Sequence, residues 1–135
     1  MEFIINILAM TIPFAVALLL ASIGEMFNQR AGIFNLGCEG IMAMGAFIGM
    51  LIPFTIGHGA NVSQGWNVLG LLLAGVIGAL LGLFFGLIVV TFRAPQGIAG
   101  IGLQMFGVGT AGTLFRHFVG GTQSIPGIPN WDIPL

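Results

Sequence analysis

The chain has 135 residues, of which 57% are hydrophobic and only 5% are charged. A soluble domain has about 25% charged residues, so this chain cannot cover a surface in water, and we expect lipid to be its solvent. The net charge of −1, with no lysine, excludes nucleic-acid binding through a basic surface. The composition therefore predicts an all-α, polytopic transmembrane helical bundle.

Four apolar stretches are long enough to cross about 30 Å of hydrocarbon, which takes about 20 helical residues. They cover residues 3–24, 36–56, 68–92 and 94–115. We expect a single transmembrane domain over residues 1–135, with a Pro-rich external tail at 120–135. The first stretch also resembles a secretory signal peptide, but the residues before its apolar core include Glu2 and no cation. A true span is therefore predicted.

An irregular polar segment separates the first and second spans. It contains Glu25, Arg30 and Glu39, which are three of the seven charged residues (three Lys or Arg plus four Asp or Glu). Polar irregular backbone beside apolar helices is tolerated only at the interface, or where it is buried in protein or lines a wet cavity. Such interruptions often mark transporter sites, so this segment is a candidate functional region.

Two residues of this segment are candidates for a solute pathway, namely Asn35 and Glu39. A carboxylate at membrane depth is costly, which makes Glu39 a functional hypothesis. The alternatives are an ion pair with Arg30, or an acid that stabilises the N-terminal end of the second helix. Asn35 could equally cap that helix.

The third span has small residues at every fourth position, in the order Gly70, Ala74, Gly78, Gly82 and Gly86. This arrangement lets membrane helices approach closely. Packing within the protein is the simpler interpretation, and a homodimer face is the alternative. We expect Gly78 and Gly82 to face another helix.

Two amides belong to the fourth span or the residues just before it. Gln96 and Gln104 are eight residues apart (104 − 96), so both could face the same side of a helix. A buried amide needs hydrogen-bonding partners. These could be the hydroxyls and base edges of an uncharged solute, or groups on neighbouring helices.

No grouping of residues in the sequence is typical of catalysis or of a metal site. His58 and His117 are isolated, and Cys38 has no Cys or His at metal-ligand spacing. We predict no catalytic residue, no metal and no cofactor, and we do not expect an enzyme.

Two motifs carry a resemblance to a known family. The sequence FNQRAGIFNLGCEGIMAMGAF at Phe27–Phe47 resembles the signature after the first span of bacterial ABC-transporter permeases for nucleosides and simple sugars. Ribose-type and branched-chain amino-acid permeases are more distant relatives. The sequence TFRAPQGIAGIGLQ at Thr91–Gln104 resembles the segment after the third span of the same family, although many members have Asn or Asp in place of Pro95.

The resemblance implies a permease subunit of an ATP-driven importer for nucleosides or simple sugars in the bacterial cell membrane. It implies three kinds of partner: an ABC ATPase, a second permease subunit or missing C-terminal half, and an external solute-binding protein. Family members are roughly twice as long, so a partial permease is expected. The alternative from another class is a small, self-associating structural or channel-forming membrane protein.

The three arginines predict an orientation. Four spans place Arg30 and Arg93 on one side and Arg116 on the other, and cytoplasmic loops carry the excess of positive charge. We therefore expect Arg30 and Arg93 to be cytoplasmic, with the connection Gly57–Trp66 outside. Cysteines introduced at Ser63 and at Arg93 should react with a membrane-impermeant reagent from opposite sides. Labelling of both from the same side would contradict this topology.

Overall fold

The computed structural model describes residues 2–56 and 64–120, and these residues form four long helices. They are α1 (Glu2–Arg30), α2 (Cys38–Ile56), α3 (Gln64–Gly86) and α4 (Gln96–Val119), with a π-helical turn (Leu87–Thr91) that continues α3. All four are long and apolar enough to cross a membrane. The predicted class, an all-α bundle with four spanning helices, is confirmed.

The helix bounds differ from the predicted spans where polar residues or proline decide them. α1 continues past residue 24 to Arg30, because the polar residues after the apolar stretch are compatible with helix, and a basic last residue is favoured there. α4 begins at Gln96, after Pro95, and Gly120 with φ +80° follows its end. Residues 57–63 of the predicted external turn and residues 121–135 of the predicted tail lie outside the described residues.

α2 and α3 are antiparallel and touch where both carry glycine. A Cβ built at Gly70 would lie 2.7 Å from the carbonyl oxygen of Gly49 and 3.2 Å from Cδ of Pro53. Pro53 has no N–H and therefore cannot bond the Gly49 carbonyl within the helix. This oxygen faces the Cα of Gly70 instead, a weak C–H···O contact that is common between packed helices. Only glycine at position 70 permits this approach.

The stripe of small residues on α3 divides into two parts. Gly70 and Ala74 lie against α2, and a Cβ at Gly78 would make an ordinary contact, 3.7 Å, with Ile41 of α2. A Cβ at Gly82 or Gly86 would meet nothing within 4 Å. Packing at these last two positions stays a prediction.

α2 and α4 are parallel and approach even more closely than α2 and α3. A Cβ at Gly40 would lie 2.6 Å from the carbonyl oxygen of Leu103 and 2.7 Å from Cα of Gln104, and a Cβ at Gly107 would overlap the backbone of Gly40. Helices in lipid associate through such packing and not through the hydrophobic effect. The glycines at 40 and 107 therefore fix the position of α4 on α2.

A small cluster of buried side chains joins the ends of α3 and α4. Phe85, Val89 and Leu103 form it, and the side chains packed around them are those of Ile33, Ile41, Leu81 and Ala99. Val89 belongs to the π turn, where one extra residue per turn changes the direction of the side chains. The cluster connects both helices to the segment that precedes α2.

α1 lies at the edge of the described bundle. None of its residues is buried, and α2 is the one described helix that it contacts. Its 29 residues extend about 43 Å at 1.5 Å per residue, which is longer than a bilayer core of about 30 Å. Almost the whole surface of α1 is therefore available to lipid or to further protein.

The close approach of α2 and α4 predicts different outcomes for two glycines of the same helix. Gly107→Ala should lower the free energy of unfolding in detergent by about 1–3 kcal/mol, and with it the melting temperature, since the new methyl group overlaps the Gly40 backbone. Gly109→Ala is the matched control, because a Cβ there meets nothing within 4 Å. It should leave stability unchanged or raise it by up to about 1 kcal/mol. Equal melting temperatures for both variants would contradict this packing.

Candidate functional site

The polar segment between α1 and α2, residues 31–37, is held by side chains of α1 and α4. On one side, Gln96 of α4 makes two hydrogen bonds to its backbone. The N–H of Phe34 donates to Oε1 of Gln96 at 2.8 Å, and Nε2 of Gln96 donates to the carbonyl oxygen of Gly32 at 3.2 Å. Both polar groups of this amide are therefore used to hold the segment.

On the other side, Glu25 of α1 holds the same segment. The N–H of Asn35 donates to Oε1 of Glu25 at 2.9 Å, and Nδ2 of Asn28 donates to Oε2 at 3.3 Å. Sequence reasoning did not select Glu25 as a site residue. Its place at the end of an apolar span, ten residues before Asn35 (35 − 25), was the available signal. Spacing alone could not show that the backbone turns back onto it.

Asn35 lies in the turn that leads into α2 and is only 8% exposed. Its Oδ1 accepts a hydrogen bond from the N–H of Gly37 at 2.8 Å. The carbonyl of Gly37 accepts the first helical bond, from the N–H of Ile41, so Gly37 occupies the N-cap position. Asn35 shapes the approach to the helix from two residues earlier, a local bond typical of Asn in turns.

Glu39 and Gln104 form a polar pair between α2 and α4. Nε2 of Gln104 donates a hydrogen bond to Oε2 of Glu39. Arg30, the ion-pair partner considered from the sequence, is not the group that the structure places on this carboxylate. Glu39 remains exposed on the surface of the described bundle, and Gln104 is partly buried.

The pair lies deep along α4. Gln104 follows the first residue of α4 by eight positions, which is about 12 Å along a helix of about 36 Å (24 residues at 1.5 Å each). The hydrogen bond places Glu39 at the same depth, although it is in the first turn of α2. The irregular segment therefore brings a carboxylate about a third of the way along α4.

An apolar groove lies on the same faces of α2 and α4, one helical turn beyond this pair. Ala43, Ala46 and Met50 follow Glu39 at helical spacing, as Val108, Ala111 and Phe115 follow Gln104. These six residues line a groove of about 390 Å³. Glu39 and Gln104 thus lie one helical turn before a cleft whose walls include three alanines. Polar groups beside a largely apolar wall are typical of small-molecule sites.

Arg30, the last residue of α1, and Arg93, in the connection before α4, lie beside segments that the structure brings together at one end of the bundle. The two hydrogen bonds of Gln96 join the segment after Arg30 to the segment after Arg93. Arg93 itself has a left-handed φ of +53°, a conformation that costs a non-glycine residue roughly 1 kcal/mol. The cytoplasmic location of this end stays a prediction.

One further polar group was not selected from the sequence. Oδ1 of Asn67, near the start of α3, is buried and has no hydrogen-bond partner within the described part of the chain. It lies beside Pro53 and Ala74 in a groove between α2 and α3. An isolated Asn directly after the predicted external turn gave no signal of burial.

Comparison with known proteins identifies the family of this chain. Residues 4–133 match the family described as the permease component of the branched-chain amino acid transport system. The match covers almost the whole chain. The chain belongs to this permease family.

The permease chain is also similar to individual transporter subunits. It is 31% identical over 125 residues, 90% of the chain, to a guanosine ABC transporter permease protein of Bacillus subtilis. It is 30% identical over 131 residues, 96% of the chain, to a nucleoside ABC transporter permease protein of Lactococcus lactis. A protein of Haloferax volcanii provisionally named as a glucose ABC transporter permease is 31% identical over 138 residues, 100% of the chain.

The permease chain spans about two-fifths of the length of these relatives, namely 39%, 41% and 38% in the same order. No solved structure matches it. The comparisons and the four long apolar helices therefore show the family and a multi-pass membrane protein.

The hydrogen bonds of Gln96 predict that it stabilises the segment 31–37. Gln96→Leu should lower the free energy of unfolding in detergent by about 1–2 kcal/mol, since two partly exposed hydrogen bonds are lost. It should also increase the labelling rate of a cysteine placed at Phe34. Gln29→Leu is the matched control, because Gln29 is exposed on α1. If both variants melt alike and label alike, Gln96 does not hold the segment.

Proposed function

We propose that this chain is a membrane-spanning part of the permease of an ATP-driven importer for nucleosides or simple sugars. The observation that carries the proposal is the similarity, over at least 90% of the chain, to a guanosine and a nucleoside ABC transporter permease. A provisionally assigned glucose permease among the relatives supports the sugar alternative. The importer would lie in the bacterial cell membrane.

The polar groups at membrane depth support a neutral solute. Glu39 and Gln104 offer hydrogen-bonding groups beside a groove of about 390 Å³. Sites of a few hundred Å³ with few polar groups are typical for small molecules. A charged solute would require compensating charges in the membrane, where each ionised side chain is costly.

The exposed surfaces support assembly with further protein. α1 is unburied along its whole length, and the groove beside Glu39 is open on the side away from α2 and α4. An exposed carboxylate close to this groove is unfavourable against lipid chains. Helices from a second permease subunit or from a C-terminal half would cover it and complete a path.

Energy would come from a separate subunit. No Walker motif occurs in the printed sequence, so ATP hydrolysis is assigned to an ABC ATPase partner. The end of the bundle that carries Arg30 and Arg93 would face the cytoplasm and this ATPase. An external solute-binding protein would deliver the solute to the opposite end.

The proposal predicts that uptake depends on assembly. Proteoliposomes that contain this chain alone should not accumulate tritiated guanosine or glucose. Proteoliposomes that also contain the ABC ATPase and the permease segments encoded beside it should accumulate one of them when ATP and the external binding protein are present. A non-hydrolysable ATP analogue provides the control.

Two results would contradict the proposal. Energy-dependent uptake by the chain alone would indicate a self-sufficient transporter. Uptake of neither nucleosides nor sugars by the assembled system would remove the assigned solute class.

A further inference from the structure

We propose that Glu39 and Gln104 bind the adjacent hydroxyl groups of a sugar ring, such as the 2′- and 3′-hydroxyls of a ribose. The inference rests on the proposed function and deepens it, because it assigns the part of the solute that these two residues recognise. The inference distinguishes this pair from Gln96 and Glu25, whose polar side-chain atoms already bond other groups of the chain.

The distribution of hydrogen bonds selects this pair. Gln96 bonds two backbone groups through its two polar atoms, and Glu25 bonds Asn35 and Asn28 through both of its carboxylate oxygens. Glu39 uses only Oε2 in the bond to Gln104. Within the part of the chain that the structure describes, no donor bonds Oε1 of Glu39 or Oε1 of Gln104, so both are able to accept hydrogen bonds from another molecule.

The position of the Glu39–Gln104 pair along α4 also supports the proposal. The pair lies about 12 Å along α4, and Glu39 is exposed on the bundle surface at that depth. An ionised carboxylate at such a depth is costly unless donors reach it. One helical turn further along each helix, at Ala43 and Val108, begins an open groove of about 390 Å³ that leaves room for a molecule beside the pair.

The chemistry of these two oxygens indicates which donors they would bind. Two free acceptor oxygens at one point match two adjacent hydroxyls on one ring, and an acidic side chain is a common partner of ribose hydroxyls in nucleotide-binding proteins. The amide of Gln104 fixes the carboxylate through its N–H, so the free oxygen is oriented before the solute arrives. Guanosine contains such a diol, and a guanosine permease is among the relatives.

The experiment compares two solutes that differ only in the diol. Equilibrium binding of tritiated guanosine is measured to the full chain in nanodiscs, and to the assembled transporter without its external binding protein. Unlabelled guanosine and 2′,3′-dideoxyguanosine serve as competitors. The unmodified protein should prefer guanosine by about 10- to 100-fold, as expected for hydrogen bonds to a charged group.

The variant Glu39→Gln keeps the size of the side chain and removes its charge. It should weaken guanosine binding to the level of the dideoxy compound and so abolish the preference. Gln104→Leu should reduce the preference by a smaller factor, since the carboxylate remains but is no longer oriented. Glu2→Gln, which removes a charge at the far end of α1, should leave the preference unchanged. The preference is a ratio within one sample, so a loss of folded yield does not affect it.

The inference is overturned if Glu39→Gln retains the preference, if the unmodified protein shows no preference, or if neither preparation binds guanosine. Glu39→Gln could also lower uptake without changing the preference. That result would assign Glu39 a structural role, such as pairing with a cation of another helix, and would also overturn the inference. In each case, ATP-dependent uptake by the assembled transporter would leave the proposed function standing. A transporter that takes up neither solute class would fail the proposed function itself.

Discussion

The structure depends on a requirement that the lipid imposes: backbone that leaves a helix within the membrane must find its hydrogen bonds in protein. Segment 31–37 leaves the helix between α1 and α2. The N–H groups of its first three residues, 31–33, still bond carbonyls at the end of α1. The N–H groups of residues 34, 35 and 37 and the carbonyl of residue 32 are bonded instead by the side chains of Gln96, Glu25 and Asn35.

The position of the functional residues follows from this arrangement. Because the segment is held against α4, α2 begins beside Gly100 and Leu103, one to two turns into α4. Gly40 and Gly107 then allow the two backbones to touch. The contact brings Glu39 level with Gln104, where the two side chains bond one helical turn before an apolar groove.

Family membership and geometry together divide the polar residues into two groups. Asn35 and Gln96, which the sequence placed among pathway candidates, make their bonds to local backbone. In the proposed importer, Glu39 and Gln104 are the pair left to meet a solute. The exposed α1 and the open groove are surfaces that other helices of a permease would cover, as expected for a chain that spans about two-fifths of its relatives.

The sequence by itself determined the membrane class, the number of spans and the polar segment. Apolar length and missing charge are local properties, and lipid leaves the helix as the available form for such stretches. It also marked Gly70 and Ala74 as contact residues through their spacing. Only the tertiary structure decided that Gly40 and Gly107 form the closest contact, that Glu25 holds Asn35, and that Glu39 meets Gln104. Periodicity shows which residues share a face of one helix, but the partner of that face depends on how the irregular segment turns.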